Sequence, residues 1–122
     1  MGRRDRQRRR VLIADDRSQA RDGLRALLAT VAEVEVIGEA ANGREVVRLV
    51  EETGPDVVLM DARMPLMDGL EATRRIKEHY PGVKVIVLTV HATYRQAALD
   101  CGADRFLVKG GPDEALVEAI LE

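Results

Sequence analysis

Five side chains of this 122-residue sequence stand where a short apolar run ends. Asp15 and Asp16 follow Val11-Leu12-Ile13-Ala14, and Asp61 follows Val57-Val58-Leu59-Met60. Thr89 follows Val85-Ile86-Val87-Leu88, and Lys109 follows Phe106-Leu107-Val108. Three carboxylates gathered in one place repel, and their pKa values rise unless a cation joins them. Hard oxygen donors of this kind suit Mg2+, which keeps several waters and shares its shell with phosphate oxygens. A carboxylate is also a competent nucleophile for phosphoryl transfer, forming an aspartyl phosphate. An ammonium and a hydroxyl then neutralise and position the transferring group. Asp61, Asp15, Asp16, Lys109 and Thr89 supply each of those parts.

Each residue also has an ordinary reading. A lone Asp at a strand end is usually a helix cap, a lone Thr a strand former, and a lone Lys a solvated charge. Chance rarely sets all of them at successive strand ends. Asp68 keeps the ordinary role, as a cap. His79 and His91 have no His, Cys or acid at ligand spacing and read as surface residues. Phe106, the single Phe, fits a half-buried strand and thus the core.

The elements that must position these residues follow from periodicity. Val11–Ala14 reads as a first strand, and Ser18 to about Ala29 as a helix with Ala20, Leu24, Leu27 and Leu28 on one face. Glu35–Ala40 reads as a second strand. Asn42 and Glu45 form a capping box for a helix to about Glu52, and Gly54-Pro55 stops it. Asp56–Met60 is apolar without alternation, as a central parallel strand should be. Asp68 and Glu71 form a second capping box, for a helix to about His79. Lys84–Val90 is a fourth strand, Thr93 to Cys101 a helix, Arg105–Lys109 a fifth strand, and the last helix runs to the final residue, Glu122. Five successive βα units imply a parallel sheet with helices on both faces and right-handed crossovers. Such folds place ligands outside the carboxyl ends of the strands, where the five residues stand.

Composition narrows the class. Charged residues make up 33% and hydrophobic residues 46%, the balance of one soluble domain. No apolar run approaches the roughly 20 residues of a membrane span. One cysteine, Cys101, rules out an internal disulfide and fits a reducing, cytoplasmic setting. The net charge of -2 conceals an asymmetry: residues 1–10 carry six arginines and one acid, and the remainder is acidic. Residues 1–9 are expected to be a basic, disordered arm and residues 10–122 the folded domain. No aromatic residue interleaves the arginines, so base stacking has no support there, and an acidic body is a poor DNA surface.

The chain resembles the receiver domain of two-component response regulators. The resemblance rests on Asp15-Asp16, on Met60-Asp61-Ala62-Arg63-Met64-Pro65-Leu66-Met67-Asp68-Gly69, on Leu88-Thr89, and on the segment from Gly102 to Lys109. It implies a flavodoxin-like doubly wound (βα)5 fold with a five-stranded parallel sheet in the order 2-1-3-4-5. It further implies that Asp61 accepts a phosphoryl group from a sensor histidine kinase. Asp16, Asp61 and the backbone carbonyl of Arg63 would bind Mg2+ directly, and Asp15 largely through water. Lys109 would hold a phosphoryl oxygen, Thr89 would move to bond the group, and Phe106 would turn inward behind it. Homodimerisation on phosphorylation and control of transcription are the implied outputs.

Two features set this chain apart from many receivers. Gly110 follows Lys109 where proline is common, and Pro112 comes later. That resembles the subfamily whose receivers precede a helix-turn-helix DNA-binding domain of the nitrate-response type. DNA contact is then expected only from a C-terminal output domain beyond a shortened last helix. Arg63, two residues after Asp61, stands where the family tunes dephosphorylation. Competing readings are a stand-alone receiver acting through protein contacts and an aspartyl-phosphate phosphatase or phosphotransferase. The latter enzymes commonly carry Asp-x-Asp, whereas Asp61-Ala62-Arg63 puts a cation at the second position. A nucleotide-binding fold lacks support, since no glycine-rich loop follows the first strand.

Overall fold

A computed structural model describes residues 8–122. Five strands form one parallel sheet: β1 Arg9–Ala14, β2 Val34–Ala40, β3 Val57–Met60, β4 Lys84–Thr89 and β5 Arg105–Val108. Their order is β2-β1-β3-β4-β5, as expected. Four helices connect them, α1 Ser18–Leu28, α2 Gly43–Thr53, α3 Gly69–His79 and α4 Arg95–Asp100, and α5 Asp113–Leu121 follows β5.

Strand alternation explains the two layers. Leu12, Val58, Met60, Val85 and Val87 point to one face and pack with Val46 and Val50 of α2, Ala72 and Ile76 of α3, and Ala98 of α4. Val11, Ile13, Val57, Leu59, Ile86 and Leu88 point to the other and pack with Leu28 of α1 and Leu116, Ala119 and Ile120 of α5. All four residues of β3 are buried, which is why its sequence shows no polar alternation. The register of β1 against β2 slips between Val11 and Leu12, and Gly38 lies opposite Leu12 at the irregularity.

The caps are mostly those the sequence marks. Asn42 Oδ1 accepts from the Glu45 N–H at 2.8 Å, and the Glu45 carboxylate accepts from the Ala41 N–H at 2.7 Å. Gly54 closes α2 in the left-handed region at φ 57°. Asp68 Oδ1 accepts from the Glu71 N–H at 2.8 Å. The reciprocal half of that second box is not made: the Glu71 carboxylate turns instead to Arg74 and Arg75.

Several boundaries differ from expectation. β1 begins at Arg9, two residues early, because Arg9 N–H bonds the Glu33 carbonyl and the Arg10 N–H bonds the Asp56 carboxylate. Residues 1–7 of the expected arm lie outside the described residues. The helix expected from Thr93 is split into a 3-10 turn, Ala92–Tyr94, and the short α4. β4 ends at Thr89, so Val90 emerges exposed beside the strand ends.

Candidate functional site

The carboxyl ends of β1, β3, β4 and β5 meet at one end of the sheet. Asp61 follows β3, and its N–H bonds the Ala14 carbonyl of β1 at 2.9 Å. Asp15 follows β1, and its N–H bonds the Ala40 carbonyl at 3.0 Å. The Lys109 N–H bonds the Thr89 carbonyl at 2.8 Å, which ties the β5 end to the β4 end. The sheet ladder itself sets the spacing of these strand-end residues.

Carboxylate oxygens of Asp15, Asp16 and Asp61 lie within 4.8 Å of one another. Their surroundings differ. Asp15 is buried, with Oδ1 accepting from the Arg17 N–H at 2.9 Å and Oδ2 ion-paired to Lys109. Asp16 is exposed and has no hydrogen bond or ion pair among the described residues. Asp61 is nearly buried, with Oδ2 3.8 Å from Lys109 Nζ. Burial pushes the Asp61 carboxyl above its ordinary value; the Lys109 cation pulls against that, Asp15 adds to it, and the Ala62 N–H and Asp16 make smaller opposed contributions.

This donor set fits a hard divalent cation. Two of the three acids are not fully paired by protein donors, and their mutual repulsion is only partly offset by one lysine. Asp15, whose two oxygens already have protein partners, is the least available for direct contact. The backbone around Asp61 is fixed tightly. The Gly69 N–H bonds the Ala62 carbonyl at 2.9 Å, and a Cβ on Gly69 would overlap the Asp61 carbonyl oxygen.

Asp16, Asp61, Thr89 and Lys109 line one cavity of about 200 Å³. Thr89 is buried, its Oγ1 accepting from the His91 N–H at 3.4 Å. Phe106 lies in the core on the α2, α3 and α4 side, already turned in, with the Arg95 guanidinium 5.9 Å from its ring centroid. The sequence reading missed the rest of the cavity lining. Arg17, Val90 and His91 line it with Arg63, all four exposed. His91, an ordinary surface residue by its sequence surroundings, stands two residues beyond Thr89, which is the signal for its place here. Tyr94 was not singled out either, although its hydroxyl accepts from Arg63 at 3.0 Å. A larger groove of about 530 Å³ lies between α1 and α5, lined mostly by apolar side chains such as Leu24, Leu27 and Leu116, with Lys109 shared between it and the acidic cavity.

Comparison with known proteins agrees with this arrangement. The family model of the response regulator receiver domain matches residues 11–121. The transcriptional regulatory protein YhcZ of Bacillus subtilis is 42% identical over 111 residues, covering 89% of this chain and 52% of the relative. The transcriptional regulatory protein DegU of Brevibacillus brevis is 41% identical over 112 residues, covering 90% and 48%. The solved signal receiver domain of the response regulator NarL from Mycobacterium tuberculosis superposes with a TM-score of 0.88 at 32% identity, covering 94% of each chain. The chain spans about half the length of the curated relatives it matches. With the acids, the threonine and the lysine at the strand ends of a 2-1-3-4-5 sheet, this chain belongs to the response regulator receiver domain family.

Proposed function

We propose that this domain is a phosphorylation switch whose acceptor is Asp61. The observation that carries the reading is the convergence of Asp15, Asp16 and Asp61 within 4.8 Å, with Lys109 3.8 Å from the Asp61 carboxylate. An Asp61 carboxylate oxygen attacks the phosphorus of a phosphohistidine on a sensor kinase. The new P–O bond forms as the P–N bond breaks, and the imidazole leaves. Asp16, Asp61 and the Arg63 backbone carbonyl would hold Mg2+, with Asp15 acting through water. Bound there, Mg2+ supplies positive charge to the phosphoryl oxygens and fixes their orientation. Lys109 shifts from Asp15 toward a phosphoryl oxygen, and the Thr89 hydroxyl donates to another. Phe106, packed in the core one strand away, is the readout through which the α4, β5 and α5 surface responds.

The output of the whole protein is inferred from its relatives. Control of transcription would run through a C-terminal DNA-binding domain of the nitrate-response type, with homodimerisation on phosphorylation, in the cytoplasm. No helix among the described residues is long and apolar enough to cross a membrane. Repeated turnover as a phosphatase is disfavoured by Arg63, which supplies no acid or base where such enzymes carry a second Asp.

Incubation with acetyl phosphate and Mg2+, followed by intact mass, tests the reading. Gain of one phosphoryl group by the wild type and none by Asp61→Asn is expected. An adduct that forms equally without divalent metal contradicts it, and sustained release of phosphate from small esters favours the enzyme reading.

A further inference from the structure

Arg63, on the lining of the acidic cavity, reaches Tyr94, which is not part of that lining. Arg63 lines that cavity, only two residues from Asp61, yet its hydrogen bond among the described residues goes to the Tyr94 hydroxyl at 3.0 Å. That acceptor is neutral, and Arg63 has no ion pair among the described residues. Tyr94 is better anchored. Its ring is half-buried against the core of the α2, α3 and α4 face, with the His91 ring edge-on at 5.9 Å. The next residue, Arg95, covers Phe106.

A phosphoryl group on Asp61 brings about two negative charges and three strong acceptor oxygens into this cavity. A guanidinium paired with such oxygens gains charge–charge attraction and can bond two of them at once, neither of which a neutral hydroxyl offers. We propose that Tyr94 is a positioning residue that holds Arg63 off the unmodified site, and that phosphorylation transfers the guanidinium from the Tyr94 hydroxyl to a phosphoryl oxygen. Arg63 then stands on the exposed side of the phosphoryl group, where hydrolytic water must enter. Tyr94, released from Arg63, relays occupancy to the turn before α4 and to Arg95 above Phe106. The inference rests on the reading of Asp61 as the acceptor.

The test is a double-mutant cycle on adduct lifetime. Wild type, Tyr94→Phe, Arg63→Ala and the double variant are treated with acetyl phosphate and Mg2+, the donor is removed, and intact mass is followed over time. Tyr94→Phe keeps the packed ring and should melt with the wild type. It should lengthen the adduct lifetime about two- to fivefold, the size of one partly exposed hydrogen bond. Arg63→Ala should shorten the lifetime, and the double variant should match Arg63→Ala. An effect of Tyr94→Phe that persists without Arg63, or no effect at all, overturns the proposal while the adduct itself upholds the acceptor. A wild type that takes up no phosphoryl group overturns both.

Discussion

Lys109 Nζ is ion-paired to Asp15 and 3.8 Å from Asp61 Oδ2, so one ammonium stands between two carboxylates. The pairing is lopsided. Asp15 has the close contact, and Asp61 is left with a partial share of the charge. In the proposed switch an incoming phosphoryl group draws the ammonium across; the Lys109 N–H itself is bonded to the Thr89 carbonyl.

Loss of that ammonium leaves the buried Asp15 with a single protein donor, the Arg17 N–H. Lys109→Met is expected to lower stability by about 1–3 kcal/mol in urea denaturation without metal, the cost of stranding one buried polar group. Added Mg2+ should narrow that gap. A gap that Mg2+ leaves unchanged would mean that the metal and the lysine do not share the same carboxylates.

The raised Asp61 pKa gives a pH dependence with a definite sign. In the metal-free protein, burial first of all favours the neutral carboxyl. Below the unfolded pKa this group carries no penalty; as pH rises through the folded pKa, ionisation in place costs stability. Asp61→Asn removes that ionisation. Its thermal midpoint without metal should therefore exceed the wild type's at neutral pH, and the advantage should fade below the ordinary carboxylate range. A variant less stable than wild type at neutral pH would show that Asp61 is held favourably ionised.

Gly69 sits against the backbone of Asp61. Its Cβ-less backbone admits the Asp61 carbonyl, which a Gly69→Ala methyl would overlap. The substitution should cost roughly 1–3 kcal/mol, in line with overpacking elsewhere, and should also slow phosphoryl uptake, because relief of the clash moves Asp61. Measured stability and uptake equal to wild type would contradict the tight fit.

Asp68, in contrast, caps α3. Asp68→Ala should cost about 1 kcal/mol through loss of the bond from the Glu71 N–H. Phosphoryl uptake per folded molecule should stay at the wild-type level. A selective loss of uptake would place Asp68 in the site.

The strand-end residues were legible in the sequence because parallel strands all end at the same edge, and four apolar runs announce that edge. Asp15, Asp16, Asp61, Thr89 and Lys109 could be placed without coordinates for that reason. The cavity's outer lining was not legible. Arg17 and His91 are exposed residues on loops, where no periodicity marks orientation. The Arg63–Tyr94 bond spans 31 positions and depends on the 3-10 turn that replaces the start of the expected fourth helix. The unmade half of the Asp68 box has a similar cause: Arg74 and Arg75 lie one helical turn on and offer Glu71 charged partners in place of a backbone N–H.

Borohydride reduction of the phosphorylated protein tests the central claim most directly. An aspartyl phosphate is reduced to homoserine, and peptide mass mapping then locates the modified residue. Homoserine at position 61, dependent on both acetyl phosphate and Mg2+, is the predicted result. Homoserine at position 15 or 16, or none from protein that carries the phosphoryl group, would contradict Asp61 as the acceptor.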